Sequence, residues 1–78
     1  MHMLKVKVLS YDGYKADERP RVFELGSIGY EVRKVLDRWY EPGGAYFKVR
    51  ASDGNIYILK NSFEKGWSLV AFRQERTN

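Results

Sequence analysis

The chain has 78 residues, no cysteine and a formal net charge of +4, from 14 basic and 10 acidic side chains. This length is close to the lower limit for independent folding and excludes a second domain, so residues 1–78 are expected to form one small domain. The lack of cysteine excludes disulfides and thiolate metal sites. Four Phe, six Tyr and two Trp are available for packing, which must supply the stability.

No apolar run approaches the roughly 20 residues of a transmembrane helix, and no signal-peptide pattern is present. We therefore expect a cytoplasmic protein with no membrane partner. The charges are spread evenly, because residues 1–25, 26–50 and 51–78 carry five, five and four basic side chains against four, three and three acidic ones. Nucleic-acid-binding proteins usually concentrate their basic residues, so any basic surface would have to be assembled by the fold.

The N-terminal segment alternates apolar and basic residues. Leu4, Val6 and Val8 alternate with Lys5 and Lys7, which predicts a half-buried strand over residues 3–10. The polar stretch 11–20, with Asp-Gly near its start and Pro at its end, predicts a long loop. A short strand over 22–25 follows and stops at Gly26-Ser27.

The segment from 28 to 40 fits two periods. Its apolar residues occur at helical spacings, yet Ile28, Tyr30 and Val32 also alternate. Ile, Tyr, Val and Trp favour strands, and a β-bulge between Val32 and Val35 would account for the change of phase. We therefore predict a strand, with a short helix at about 28–39 as the alternative, which the helix-forming residues of the segment favour.

The C-terminal half has clearer turn signals. Pro42-Gly43-Gly44 ends the ambiguous segment, and Ser52-Asp53-Gly54-Asn55 predicts a tight hairpin. Around them we predict strands over 46–51, 56–60 and 67–72, a polar connection over 61–66 and a disordered polar tail over 74–78.

These five or six short strands predict an all-β antiparallel meander curled into an SH3-like barrel, because closure removes unpaired edges. The alternative is an α+β fold with the one short helix. The expected core consists of Leu4, Val6, Val8, Phe23, Leu25, Tyr30, Val32, Trp39, Phe47, Val49, Ile56, Ile58, Trp67 and Leu69.

No catalytic constellation is evident. The single histidine, His2, is near the N-terminus, and general acid–base or nucleophilic catalysis most often uses His or Cys beside a partner. Asp12 and the Asp17-Glu18 pair are in a loop of mixed charge, and the glycines complete neither a P-loop nor a dinucleotide fingerprint. We therefore expect a binding module that is not an enzyme and has no metal or cofactor.

Single-stranded nucleic acid is one expected ligand, because small β-barrels bind it with a basic groove and stacking aromatic residues. Tyr46, Lys48 and Arg50 alternate with apolar residues and would share one sheet face. Lys5, Lys7 and Tyr57 would extend that surface. The competing interpretation is an ordinary solvated face, where Lys and Arg are common.

A protein partner is the alternative expectation. Tyr and Trp are frequent at interface hot spots, and aromatic residues occur at predicted loop edges, namely Tyr11, Tyr14, Trp39 and Tyr40. For Trp39, a place in the core competes with this role.

A wider pattern extends over residues 19–69: Arg19-Pro20-x-x-Phe23, Tyr30-x-Val32, Trp39, Tyr46-Phe47-x-Val49, Asp53-Gly54-x-x-Tyr57-x-Leu59 and Trp67-x-Leu69. It resembles an uncharacterised bacterial family of small β domains and the C-terminal segment of ImuB-type, Y-family-polymerase-like proteins. The resemblance implies a β-rich accessory domain associated with DNA repair or damage-tolerant synthesis, and a partner that is nucleic acid or a protein of DNA metabolism. It assigns no binding residues.

Overall fold

The computed structural model describes residues 4–10 and 20–75. In these ranges every regular element is a strand: β1 (Leu4–Lys5), β2 (Lys7–Ser10), β3 (Pro20–Leu25), β4 (Ile28–Glu41), β5 (Gly44–Ala51), β6 (Ile56–Ser62) and β7 (Gly66–Arg73). Neighbouring strands are antiparallel, in the order β1-β7-β6-β5-β4-β3-β2. Since β1 and β2 are two parts of one strand, the fold is a six-stranded meander, and the all-β prediction is confirmed.

The first strand joins the two edges of the sheet. At its start Leu4 pairs with Leu69 of β7, and further along Val8 pairs with Phe23 of β3. Between the two pairings, the amide of Val6 donates a 3.4 Å hydrogen bond to the carbonyl of Trp67. The sheet therefore curls around its apolar side, as the predicted barrel requires.

The long strand β4 confirms the predicted bulge. Its register with β5 shifts between Val32 and Lys34 and again between Val35 and Asp37. An extra residue at each point bends the strand and changes which side chains face inward. The alternative of a helix over 28–39 is wrong, because this segment is extended throughout.

Turn chemistry at two glycines sets the hairpins. Gly43 and Gly54 have φ angles of 97° and 86°, a region that residues with a Cβ rarely occupy. They lie in the β4–β5 and β5–β6 turns, where the sequence predicts them.

Pro20, predicted to end the long loop, instead begins β3 with a fully buried side chain. Its missing N–H is tolerated at the first residue of a strand.

The interior core is formed by seven buried residues that contact one another: Phe23, Ala45, Phe47, Val49, Ala51, Tyr57 and Leu59. Val6, Val8, Leu25, Tyr30, Val32, Val35, Trp67 and Leu69 pack against it. Most of the predicted core is therefore confirmed, although the side chain of Leu4 lies outside the described residues.

Two residues predicted to be core, Trp39 and Ile58, are half-buried on the opposite side of the sheet, because Tyr57 and Leu59 are the inward-facing residues of β6. Ile56 is buried, as predicted, but on that opposite side and outside the interior cluster. The predicted alternation of β6 was thus shifted by one residue, and such a shift exchanges the inward and outward side chains of a strand. For Trp39 the second bulge of β4, between Val35 and Asp37, has the same effect, because the prediction included only the first bulge.

Two predicted segments fall wholly or partly outside the described residues. The loop residues 11–19, including Tyr11 and Tyr14, lie outside, as do residues 76–78 of the predicted tail. The tail begins with a defined contact, because the amide of Glu75 donates a 3.0 Å hydrogen bond to Asn55 Oδ1.

Candidate nucleic-acid interface

The side of β4–β7 that faces away from the interior core is called the outer face here. Residues directly opposite each other on paired strands lie on the same face, and the register arranges this one in four rows. The turn row, next to the β4–β5 turn, is Glu41, Gly44, Ser62 and Gly66. The aromatic row is Trp39, Tyr46, Lys60, Ser68 and Lys5. The middle row is Asp37, Lys48, Ile58 and Ala71. The basic row is Lys34, Arg50, Ile56 and Arg73.

In the aromatic row, Tyr46 is enclosed by its neighbours. The rings of Trp39 and Tyr46 are stacked with centroids 5.3 Å apart and planes 7° from parallel. The Nζ of Lys60 lies 5.3 Å from the centroid of Tyr46, within the distance of a cation–π interaction. Because β5 lies between β4 and β6, these two contacts approach Tyr46 from opposite sides.

Trp39 ends this stack at the margin of the sheet. The pairing of β3 with β4 covers only residues 28–31. In the part of the chain that the structure describes, no strand therefore pairs with β4 beside Trp39 on the side away from β5. Trp39 is therefore the last ring of this row on the β4 side, and its side chain is half-buried.

The basic row brings like charges together. Lys34 lies directly opposite Arg50, and like charges in opposed positions are destabilising. An anion bound between them would relieve that cost. Arg73 differs from these two, because its Nε is 3.2 Å from Glu75 Oε2 and its charge is partly compensated.

Arg50 is held by the β5–β6 turn. Its Nη1 donates a 3.1 Å hydrogen bond to the carbonyl of Gly54. In the same turn the Oδ1 of Asp53 accepts from the amide of Asn55 at 3.0 Å, and its Oδ2 accepts from the Asn55 side chain at 3.0 Å and from the Tyr57 hydroxyl at 2.6 Å. The turn that positions Arg50 is therefore itself fixed by hydrogen bonds.

The same hydrogen bonds shift the pKa values of Asp53 and Tyr57. Burial raises the pKa of Asp53, but the hydrogen bonds from Tyr57 and Asn55 outweigh it, and the pKa is lowered from the ordinary 3.8. Burial and the hydrogen bond to Asp53 both raise the pKa of Tyr57 above its ordinary 10.0. Asp53 is therefore a carboxylate at neutral pH, and Tyr57 a neutral donor.

The aromatic, middle and basic rows carry six cations, namely Lys5, Lys34, Lys48, Arg50, Lys60 and Arg73, whereas the rows of this face hold two carboxylates, Asp37 in the middle row and Glu41 in the turn row. Asp37 lies opposite Lys48. The basic residues are spread evenly along the sequence, and the strand register brings six of them together on one face.

The predicted nucleic-acid-binding residues separate into two groups. Tyr46, Lys48 and Arg50 do share the outer face, and Lys5 joins them through the aromatic row. Lys7 lies next along the first strand but pairs with Glu24 of β3.

Tyr57 does not belong to this surface. Its side chain is 3% exposed and lies in the interior core. Its ring contacts Phe23 at 4.9 Å and Phe72 at 5.1 Å between centroids. The assignment of Tyr57 to the ligand surface is corrected for the same reason as the core prediction for β6, since both assumed the wrong phase.

Three cations of the face were missed in the sequence. Lys60 had a usable signal, because a tight hairpin at residues 52–55 with Arg50 opposite Ile56 also places Tyr46 opposite Lys60. Lys34 had a partial signal, because the predicted bulge between Val32 and Val35 turns it outward but does not define its partner on β5. Arg73 lies opposite Ile56 only because the register of β6 and β7 shifts near Leu59.

Of the predicted protein-interaction residues, the structure describes Trp39 and Tyr40, and these two do not share a face. Trp39 stacks on Tyr46 in the outer face, whereas the next residue, Tyr40, pairs with buried Ala45 near the end of the strand and is 57% exposed. Phe63, which the sequence analysis did not select, is 67% exposed. Its amide donates a 2.9 Å hydrogen bond to the carbonyl of Gly43, so the β4–β5 and β6–β7 turns adjoin each other.

Comparisons with protein families, with curated proteins and with solved structures gave no match for this chain. Within residues 4–10 and 20–75, no three His, Cys, Asp or Glu side chains are grouped so that they could hold a metal ion. The same residues include no helix long and apolar enough to cross a membrane.

Proposed function

We propose that this domain is a non-enzymatic module that binds single-stranded nucleic acid on the outer face of β4–β7. The observation that carries the proposal is that six cations and the Trp39 ring lie on one face, whose rows hold two carboxylates. A basic surface with stacking aromatic residues is the arrangement by which small β folds bind single strands.

The two kinds of residue have different roles in this binding. Lys48, Arg50 and Lys34 are on adjacent strands and would contact successive phosphates, which supplies affinity without sequence preference. Trp39 would stack on one base, an interaction of about 1–3 kcal/mol per base. Tyr46 stacks on the other face of the Trp39 ring, and no base stacks on Tyr46 itself.

The resemblance to the C-terminal segment of ImuB-type proteins supports an accessory role in DNA repair or damage-tolerant synthesis. We therefore propose single-stranded DNA as the ligand, in a cytoplasmic protein.

The direct test is fluorescence anisotropy of a labelled oligothymidylate titrated with the protein at about 50 to 200 mM salt, the range over which phosphate-dominated binding weakens steeply. Lys48→Ala should weaken binding and reduce the slope of log K against log salt by about 0.7, the value for one phosphate contact on a single strand. Lys7→Ala is the matched control, because it removes the same charge opposite Glu24, outside the four rows.

Two results would contradict the proposal. One is no binding of the oligonucleotide at low salt by the folded protein. The other is equal weakening by Lys48→Ala and Lys7→Ala, which would indicate a response to net charge alone. A duplex of the same length is the second probe, and it should bind more weakly because its bases are not available to Trp39.

A protein partner is the second candidate, and the adjoining β4–β5 and β6–β7 turns favour it. Tyr40 and Phe63 are 57% and 67% exposed there, and exposed aromatic residues are frequent at interfaces. Crosslinking in the native cell should then yield a partner that is lost in a Phe63→Ser, Tyr40→Ser variant and retained in Trp39→Ala. Loss of the partner in Trp39→Ala instead would assign it to the outer face.

A further inference from the structure

The outer face contains a shallow groove between its middle and basic rows. The groove has a volume of about 180 Å³ and is lined by Lys48, Ile56, Ile58, Ala71, Phe72 and Arg73. Its floor is apolar, and its ends are cationic. This combination is unusual for a solvated sheet face, where the row positions would be expected to be polar throughout.

The isoleucines explain why the groove exists. Ile56 is 7% exposed but is not among the residues of the interior core cluster, and Ile58 lies opposite Lys48 on the outer face. The chain therefore places two large apolar side chains on the side of the sheet that faces away from the interior core. Ala71, opposite Ile58, leaves the space above them open.

Size and charge together indicate what the groove accepts. An apolar cavity of about 150 Å³ is enough to hold a benzene ring, so this volume suits one single-ring aromatic group. Lys48 and Arg73 at the ends favour a group attached to an anion. Arg73 shares its charge with Glu75, which leaves Lys48, with Arg50 on the same strand, as the stronger anion contact.

We infer that the groove over Ile56, Ile58 and Ala71 is a base pocket that takes one pyrimidine of the bound single strand, with the adjoining phosphate on Lys48. This inference rests on the proposed function and deepens it. Strand spacings of about 4.8 Å and rises of about 3.4 Å per residue put the groove about 15 Å from Trp39. The two sites therefore take two different bases, and a duplex, whose bases are paired, cannot fill the groove.

The test fills the groove without altering charge. Ala71→Leu projects from an exposed position and occupies the space over the isoleucines, whereas Ala71→Ser at the same position keeps the groove open. Anisotropy is measured with an oligothymidylate and with an abasic oligonucleotide of the same length, which keeps every phosphate. Ala71→Val is the second filling variant in case Ala71→Leu does not fold.

The wild type should bind the oligothymidylate about a hundredfold more tightly than the abasic strand, because the abasic strand lacks both the base on Trp39 and the base in the groove. Ala71→Leu should weaken oligothymidylate binding about tenfold, leave abasic binding unchanged and keep the wild-type salt slope, while Ala71→Ser should match the wild type. Salt-dependent binding by the wild type with equal affinity in Ala71→Leu would overturn the base pocket and leave the proposed function standing. Failure of the wild type to bind either strand would overturn both.

Discussion

The hydroxyl of Tyr57 donates a 2.6 Å hydrogen bond to Oδ2 of Asp53, and this bond ties a core aromatic ring to the turn between β5 and β6. Tyr57 also contacts Phe23, Tyr30 and Phe72 through its ring. One side chain therefore couples the packing of the interior to the loop that positions Arg50 on the outer face.

Tyr57→Phe tests this coupling. It keeps the ring contacts but removes the donor to a charged acceptor. Because Asp53 is exposed, the free energy of unfolding should fall by about 1.5 kcal/mol, the lower end of the range for hydrogen bonds to charged groups. Urea denaturation provides the measurement. Tyr40→Phe is the control, because that side chain is 57% exposed and its change should be about 0.5 kcal/mol or less. Equal effects of the two changes would show that the Tyr57–Asp53 bond adds nothing.

The stability contributed by Asp53 should depend on pH. Its pKa in the folded protein is below the ordinary 3.8, so its contribution is fully present above the unfolded pKa and is lost as pH falls through the folded value. The difference in unfolding free energy between wild type and Asp53→Asn should therefore be larger at about pH 7 than at about pH 3. Denaturation at both values measures it, and a constant difference would contradict the assignment.

Leu59 faces the interior core and Ile58 faces away from it, so truncating these adjacent side chains should lower the free energy of unfolding by different amounts. Leu59 is 0% exposed, so Leu59→Ala should lower the free energy of unfolding by about 2 to 5 kcal/mol. Ile58 lies half-buried on the outer face, and Ile58→Ala should cost about 1 kcal/mol. A larger cost for Ile58→Ala than for Leu59→Ala in chemical denaturation would instead support the inward side that was predicted from the sequence.

Gly44 is required by a close backbone approach. A Cβ built there would lie 2.5 Å from the carbonyl oxygen of Asn61 and 3.1 Å from Cα of Ser62. Gly44→Ala should therefore destabilise the fold by about 1 to 3 kcal/mol, as overpacking does.

Gly29→Ala is the matched control for that change. The nearest atom to its added Cβ is Glu24 Cγ at 3.9 Å, and its φ is not positive. The substitution should raise stability by about 0.4 to 1 kcal/mol through the unfolded chain. Thermal melts of both variants provide the comparison, and similar shifts for the two would refute the steric account of Gly44.

Sequence periodicity was sufficient to predict the strands but not to predict which side of the sheet each side chain faces. Alternation and turn residues predicted the β5–β6 hairpin and the bulge after Val32. In β6, however, Ile56, Tyr57, Ile58 and Leu59 are all apolar, so no alternation remains to define an inward side. The hairpin register decides the phase, and the tyrosine turns inward to reach Asp53.

The candidate site was only partly predictable for a related reason. Tyr46, Lys48 and Arg50 share a face by simple alternation within one strand. Lys34 and Arg73 reach that face through register shifts, and a bulge moves a residue by one position without a distinct residue type to mark it. Cross-strand neighbours beyond a bulge therefore required the structure.

The bridging role of the first strand has a consequence for how the protein is made. That strand needs β3, which follows it closely, and β7, the last strand to be synthesised. While the chain is still on the ribosome, β1 has no partner until β7 has emerged from the exit tunnel. The sheet can therefore close only after β7 has been translated, and the apolar side that it covers stays accessible to chaperones until then.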